Sequence, residues 1–344
     1  MLIRKRRGWE IAERDATPED VYLNRRKILR DMGIAGVGMT AGLSRLPFEQ
    51  MSPQRRFRNY PKAVNYPAGP AGDLYPPERN PAFSEEDAGR PITPPGLAHA
   101  YNNYYEFFVP QDEAWRHVGK FVTNPWEVTI TGLVENPGTF DLGDLLHKMP
   151  MEERVCRFRC VEAWAAVIPW SGFPFRALLD HVQPTSAARF VAMTTALRPD
   201  EMPGVPAQPW HPWPYHEGLT IEEARNELAF LATGSYGKPQ PKQNGAPIRL
   251  IVPWKFGYKN IKSIVRIEFT DEQPPTFWNA VTPFEYGFWS NINPTVPHRR
   301  WSQATEQLLN TGERLPTQIY NGYGKWVAEM YDGLPEKYGD WFYR

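Results

Sequence analysis

The chain is poor in cysteine: only Cys156 and Cys160 among 344 residues. Two thiols cannot build a disulfide framework in any compartment. Net charge is also missing, with 39 Lys+Arg against 39 Asp+Glu, so no global field draws the chain to nucleic acid or an anionic membrane. No apolar run reaches the roughly 20 residues of a membrane span. No Gly-x-Gly-x-x-Gly follows a strand pattern, which argues against a dinucleotide fold, and no Cys-x-x-Cys-His is present to attach a haem. Seven histidines are present, none at zinc-ligand spacing; His211 and His216 stand in the turn-like HPWPYH. What is plentiful is proline, at 36, and tryptophan, at 13. That much proline points to long irregular stretches rather than a helix bundle. The length suffices for a sizeable core in one large domain or two ordinary ones.

The N-terminal stretch is the first informative segment. In TPEDVYLNRRKILRD (17–31), Thr17, Pro18, Glu19 and Asp20 suit a helix start. Arg25-Arg26-Lys27 then precedes the short, Gly-rich run MGIAGVGMTAGL (32–43). A basic region before a weakly apolar run reads as an export signal, and the paired arginines give it twin-arginine form. The signal is expected over 1–44, with no clean Ala-x-Ala site and a cut somewhere after Ala41, and places the mature protein in the periplasm. That route carries folded proteins, so it suggests a cofactor inserted before export. Residues 45–98, rich in proline, read as an extended arm that wraps the domain or stays mobile.

Residues 99–344 read as the globular part. Trp126–Val134, Arg154–Cys160, Arg189–Leu197, Ile248–Val252 and Ile261–Phe269 have strand character; Leu142–Lys148 and Pro174–Val182 look helical. Thr220-Ile221-Glu222-Glu223 has capping-box form and predicts a helix to about Leu231. Irregular interleaving of strands and helices predicts a mixed α+β fold.

The two thiols fall in one predicted strand. Alternation puts Cys156, Phe158 and Cys160 on one face, with Arg157 and Arg159 on the other. Four strand residues span roughly 13 Å, whereas a disulfide needs Cα atoms within about 7 Å. Each thiol is therefore expected to stand alone. Burial as a small hydrophobe accounts well for Cys156 and less well for Cys160, which closes the strand. A nucleophilic thiolate needs a base, and no histidine lies nearby in sequence. A single soft thiolate can still hold a metal whose other ligands belong to an organic cofactor.

RFRCVEAW followed by PWSGFPF, PKQNGAPIRLIVPWKFGYKNIKSI, NGY at Asn321–Tyr323 and NPTVPHRRWSQATE together resemble one family. These motifs are similar, in order, to the molybdenum-containing catalytic subunits of periplasmic protein-methionine-sulfoxide reductases, of sulfite-oxidase fold. The resemblance runs from about Tyr101 to near the end of the sequence. It implies an α+β domain with a mixed, partly barrel-like sheet, and one molybdopterin without an attached nucleotide. The cofactor's dithiolene and the Cys160 thiolate would bind molybdenum. Asn102, Tyr105 and Glu106 would line the pterin, Thr195, Asn244 and Arg249 would contact it, and Asn260, Ile261 and Lys262 would close over its phosphate. Arg249, Lys262 and the backbone N–H groups of 258–262 are the donors a phosphate needs. Asn244-Gly245 reads as a tight turn. Read singly, Arg249 is a solvent-facing strand residue and Lys255, Lys259 and Lys262 a solvated basic loop.

Glu162 would lie near the metal, to tune a bound water or relay a proton, against the plainer reading of a surface glutamate. The implied reaction is reduction of methionine sulfoxide in oxidised periplasmic proteins. Electrons would come from a haem-containing membrane subunit that draws on the quinone pool. Trp164, Trp170 and Trp289 could frame the substrate or simply pack the core. Cys156 departs from the family pattern and raises the question of a second reactive thiol. Val161-Glu162-Ala163-Trp164 after Cys160 departs from the sulfite-oxidase pattern. The competing readings are sulfite oxidation or reduction of small S- or N-oxides, and a metal-free exported scaffold that binds peptides.

Overall fold

The computed structural model describes residues 69–109 and 111–344. The expected export signal and the arm up to residue 68 lie outside the described residues. Twelve strands are numbered in chain order: β1 (Glu127–Gly132), β2 (Gly138–Asp141), β3 (Glu152–Arg159), β4 (Trp164–Pro174), β5 (Phe190–Thr195), β6 (His216–Thr220), β7 (Phe230–Ser235), β8 (Lys238–Pro239), β9 (Arg249–Ile251), β10 (Ile264–Thr270), β11 (Thr305–Leu308) and β12 (Arg314–Pro316). They form two sheets. One runs β2-β1-β10-β5-β6; the other runs β12-β11-β4-β7-β8, with β3 on β4 and β9 on β7. Each sheet is mixed, since β1 pairs β10 and β11 pairs β4 in parallel while the remaining pairs are antiparallel. The α+β class expected from sequence is therefore the one observed. The barrel-like element is not: neither sheet closes on itself among the described residues.

In the first sheet the alternation visible in sequence sets the inner face. Val128 and Ile130 of β1, Val191 and Met193 of β5, and Ile264, Ile267 and Phe269 of β10 are buried together in the main core. The helix Phe175–Val182 buries Phe175, Leu178, Leu179 and Val182, one stripe of helical spacing, in the same core. Strand β4 departs from alternation because it is central, and all eleven of its residues are buried. Its continuous apolar run, broken by Pro169 and Gly172, carries no periodicity and gave no strand signal in sequence.

The helix expected from Thr220 to about Leu231 is shorter than predicted. The capping box forms, with the Thr220 hydroxyl accepting from Glu223 N and the Glu223 carboxylate accepting from Thr220 N, but the helix ends at Arg225. Asn226 ends it, donating through Nδ2 to Trp326 O (2.9 Å) and accepting from Leu228 N (2.9 Å). Phe230 onward then enters the sheet as β7, wholly buried between β4 and β9. Tertiary pairing has overridden local helix preference.

The described part of the arm lies along the second sheet. Asn80 N donates to Glu153 O (2.8 Å), Thr93 N donates to Val167 O (2.9 Å), and Arg79 pairs with Glu153 (2.6 Å). Among the described residues no helix is long and apolar enough to cross a membrane.

Candidate active site around Cys160

β3 runs antiparallel to β4, with Arg159 opposite Ala165, so Cys160 opens the connection between the two strands. The faces fall as alternation predicts. Cys156 and Cys160 are buried in one cluster with Ala166, Ile168 and Phe256, and both thiols are free. Arg157 turns the other way, donating to Ala88 O and to Gln318 Oε1 (both 2.6 Å). Arg159 is wholly buried against Glu306 (3.0 Å).

The Cys160–Trp164 turn is held through its carbonyl groups. Cys160 O accepts from Arg159 Nη1 and from Ala163 N. Val161 O accepts from Trp301 Nε1 (2.7 Å) and Gln303 Nε2 (2.8 Å). Ala163 takes a left-handed φ of 64°, uncommon outside glycine, which lets the chain reverse in so few residues. The thiol is thereby presented by a braced loop rather than a mobile one.

Glu162 is half-buried and engaged rather than a free surface carboxylate. Its Oε2 accepts from Asn103 Nδ2 (2.9 Å), Gln111 Nε2 (2.7 Å) and Trp164 Nε1 (3.2 Å), and stands 3.7 Å from Cys160 Sγ. Asn103 Nδ2 also lies 3.6 Å from the sulfur. Burial, and then the charge of Glu162, hold the Cys160 thiol well above its ordinary range. A metal is what makes such a sulfur a thiolate. Burial likewise pushes Cys156, packed in the same apolar cluster, up to about 12.

Beside the thiol lies a polar cradle. Asn102 Nδ2 and Asn244 Nδ2 donate to His99 O (3.5 Å) and Ala98 O (3.1 Å), in the helix Pro95–Ala100. Both amide oxygens are left buried without a donor. Arg249 spends Nη1 on Asn244 O (2.7 Å) and Nη2 on Asn260 O (3.3 Å), lies over the Trp170 ring, and keeps Nε unpaired. Gly245, at φ 95°, makes the turn that brings Asn244 beside Lys262; a Cβ there would stand 2.8 Å from the Lys262 side chain. Thr195 Oγ1 donates to Lys262 O (2.7 Å). Gly204 lets a second segment approach Tyr105 and Glu106, since a Cβ would lie 2.1 Å from Tyr105 O.

The electrostatics of this cradle are unbalanced. Burial pushes Arg249 down to about 9. Burial and the nearby Arg249 also lower Lys262, while Glu106 and Cys160 favour its charged form. Burial raises Glu106 against the pull of Lys262. Two cations thus face one carboxylate, and neither cation has a carboxylate in ion-pair contact among the described residues. Orphaned amide oxygens need N–H donors, and surplus buried cations need an anion. A pterin ring supplies the first and its phosphate the second, so the residues fit the cofactor.

The sites named from sequence fall into three groups. Cys160 and Glu162 come together at 3.7 Å, with Tyr105 nearby: burial, and then the Glu162 carboxylate, hold its hydroxyl well above the usual range, and it packs edge-on to Trp278 (5.0 Å). Asn102, Glu106, Thr195, Asn244, Arg249 and Lys262 build the cradle. Asn260 and Ile261 instead serve the loop itself. Asn260 Oδ1 accepts from Val252 N (2.8 Å), Ile261 is buried in the main core, and the N–H groups of 259–261 are spent on Phe256, Gly257 and Lys259 carbonyls. Lys255 and Lys259 are no solvated loop either; they are buried against Glu223 (2.5 Å) and Glu217 (2.6 Å). Trp164, Trp170 and Trp289 are all buried. Sequence reasoning missed Asn103 and Gln111, whose amides carry no motif. The only signal was Asn103's place next to Asn102.

His99, on the helix behind the cradle, gives the site a pH signature. Burial lowers its imidazole from 6.5 to about 3, with Ser235 Oγ 3.1 Å from Nε2. The folded state therefore binds fewer protons than the unfolded one between those values. Stability is fully present above pH 6.5 and is lost as pH falls. Between pH 6.5 and 5 the loss is about 2 kcal/mol. Denaturant titrations at the two pH values should show it in the wild type and not in His99→Gln; equal losses in both would contradict it.

Comparisons with known proteins give the family. Residues 116–278 match the family model of the oxidoreductase molybdopterin binding domain. The protein-methionine-sulfoxide reductase catalytic subunit MsrP of Burkholderia mallei (strain ATCC 23344) is 43% identical over 335 residues, covering 96% of each chain. The sulfane dehydrogenase SoxCD of Paracoccus pantotrophus, a crystal structure, aligns with 65% of this chain and 59% of its own at 16% identity; its TM-score of 0.41 does not establish a shared fold. The chain is a molybdopterin oxidoreductase and belongs to the family of protein-methionine-sulfoxide reductase catalytic subunits.

Proposed function

We propose that the protein reduces methionine sulfoxide residues in oxidised periplasmic proteins. The observation that carries this reading is Cys160, a single buried thiol on a braced loop, beside a cradle short of N–H donors and of negative charge. Cys160 would hold molybdenum. Asn102, Asn244, Arg249 and Lys262 would hold the pterin, with Tyr105, Glu106 and Thr195 around them. When bound, the cofactor supplies two-electron oxygen-atom transfer.

The chain's own part is to bind, orient and move protons. Arg159, Trp301 and Gln303 fix the Cys160–Val161 backbone. Glu162, held by Asn103, Gln111 and Trp164, stands beside the sulfur as the carboxylate that would take up or give a proton at Oε2. The expected partner is a haem-containing membrane subunit that delivers electrons from quinones, after export by the twin-arginine route. Sulfite, a dianion, needs free arginines at the metal; Arg157 and Arg159 are both committed elsewhere, which disfavours it. A reduced dye donor with an oxidised-methionine protein, in parallel with sulfite and an electron acceptor, tests the reading. Turnover with the sulfoxide alone is expected, and turnover with sulfite alone would overturn it.

A further inference from the structure

Three partly exposed rings stand beside the thiol. Tyr105, His211 and Trp278 meet as three walls of a corner. Their planes are close to perpendicular: 76° for Tyr105–Trp278, 76° for His211–Trp278 and 82° for Tyr105–His211, with centroids 5.0, 6.0 and 6.4 Å apart. None of the three is fully buried. Trp210 extends the corner outward, 6.0 Å from His211. At 73% it is the most exposed large apolar side chain among the described residues.

The corner adjoins Cys160 from two directions. Tyr105 lies two residues after Asn103, whose Nδ2 is 3.6 Å from the sulfur. Burial and then Glu162 raise the Tyr105 hydroxyl, and Cys160 adds to the effect. Trp278 packs against the apolar cluster that holds Cys160. The rings are also held in place. Gln208 Nε2 donates to Tyr105 O (2.8 Å) and to Gly204 O (3.1 Å), and Gln208 O accepts from Trp213 Nε1 (2.9 Å). The segment carrying Trp210 and His211 is thereby tied to Tyr105. A seat built before its ligand arrives loses little freedom on binding.

Charge decides what the corner receives. Burial lowers the His211 imidazole, so it is neutral at pH 7. Arg300, whose charge reaches Tyr105, is paired with Glu285 (2.9 Å) and lies over the Trp301 ring. Aromatic faces are negative. They attract positively polarised methyl groups and sulfur, and repel anions. In a methyl sulfoxide the oxygen is the negative end of the S–O dipole. Sulfur and its methyl group are the positive end.

We infer that Tyr105, His211 and Trp278 seat the methylsulfinyl end of the substrate, with ring faces toward its sulfur and methyl group and its oxygen turned toward Cys160 and Glu162. This rests on the proposed function and adds the residues that recognise the reacting group. Trp210 is the outer lip of the seat. Such a seat selects polarised sulfur over a hydrocarbon chain of the same length.

The test is calorimetric binding to the holoenzyme with no electron donor, so that sulfoxide is not consumed. The ligands are N-acetyl-methionine-sulfoxide amide and N-acetyl-norleucine amide, which has a methylene in place of the sulfinyl group. Trp278→Leu is expected to weaken binding of the sulfoxide about fivefold more than binding of the norleucine compound. Trp278→Phe keeps a ring and should keep most of that preference. His211→Leu should act in the same direction as Trp278→Leu and serves as the second variant should the first fail to fold. KM for the sulfoxide should rise in step, with molybdenum content unchanged. Equal losses for both ligands, or no loss, would overturn the inference. If the wild type bound sulfoxide through these rings yet reduced none with a dye donor, the functional reading would fail and the seat would stand. If it reduced sulfoxide while both Leu variants kept the wild-type preference, only the seat would fail.

Discussion

Replacing Glu306 with Ala should destabilise the protein by about 3–5 kcal/mol, the effect of stranding a buried charge. Glu306 is wholly buried and accepts from Arg90, from Arg159 Nε (3.0 Å) and from Thr317 Oγ1 (3.1 Å). Without it two guanidinium groups remain in a dry interior. Arg159 is also the group that holds Cys160 O, while reaching Thr305 O (3.3 Å) and Thr317 Oγ1 (3.3 Å). The loss should therefore reach the thiol as well as the fold. Urea denaturation measures the first and cofactor content the second. Arg159→Met combined with Glu306→Leu should recover only part of the stability, because one stranded guanidinium leaves while Arg90 stays without its carboxylate, and it should not restore the grip on the Cys160 carbonyl. A change below about 1 kcal/mol for Glu306→Ala would show that the pair is not the brace described.

Cys160→Ser should lower dye-coupled sulfoxide reduction by about three orders of magnitude or more, a loss of about 4 kcal/mol in the barrier. The hydroxyl nearly matches the thiol in size, so the fold should hold, and denaturation midpoints should confirm it. A serine oxygen is a hard, poorly ionised donor where a soft thiolate is needed. Cys156→Ala is the matched control. That sulfur is packed among apolar side chains and its thiol stays protonated, so activity should persist at some loss of stability. Loss of turnover in both variants would point to packing rather than ligation.

The sequence carried the site better than it carried the sheet around it. Alternation placed Cys156 and Cys160 on one face and the arginines on the other, because β3 has one apolar and one polar side. β4 and β7 were illegible for the opposite reason: they are buried on both faces, so no period distinguishes them from a core helix. The capping box at Thr220 was read correctly as a start, but nothing local announces that Phe230 belongs between two strands. Lys255 and Lys259 looked like surface charges because their partners, Glu223 and Glu217, lie tens of residues away. Glu162 looked ambiguous for the same reason: Asn103 and Gln111 reach it from a distant stretch of chain. The cradle residues Asn102, Asn244, Arg249 and Lys262 were reached through family resemblance. Their unpaired atoms are a structural observation that no spacing reveals.

The central claim is a bond between the sulfur of Cys160 and molybdenum. X-ray absorption at the molybdenum edge, on holoenzyme and on Cys160→Ser purified with cofactor, tests it most directly. The account predicts one sulfur neighbour fewer at the metal in the variant. An unchanged sulfur count would contradict it.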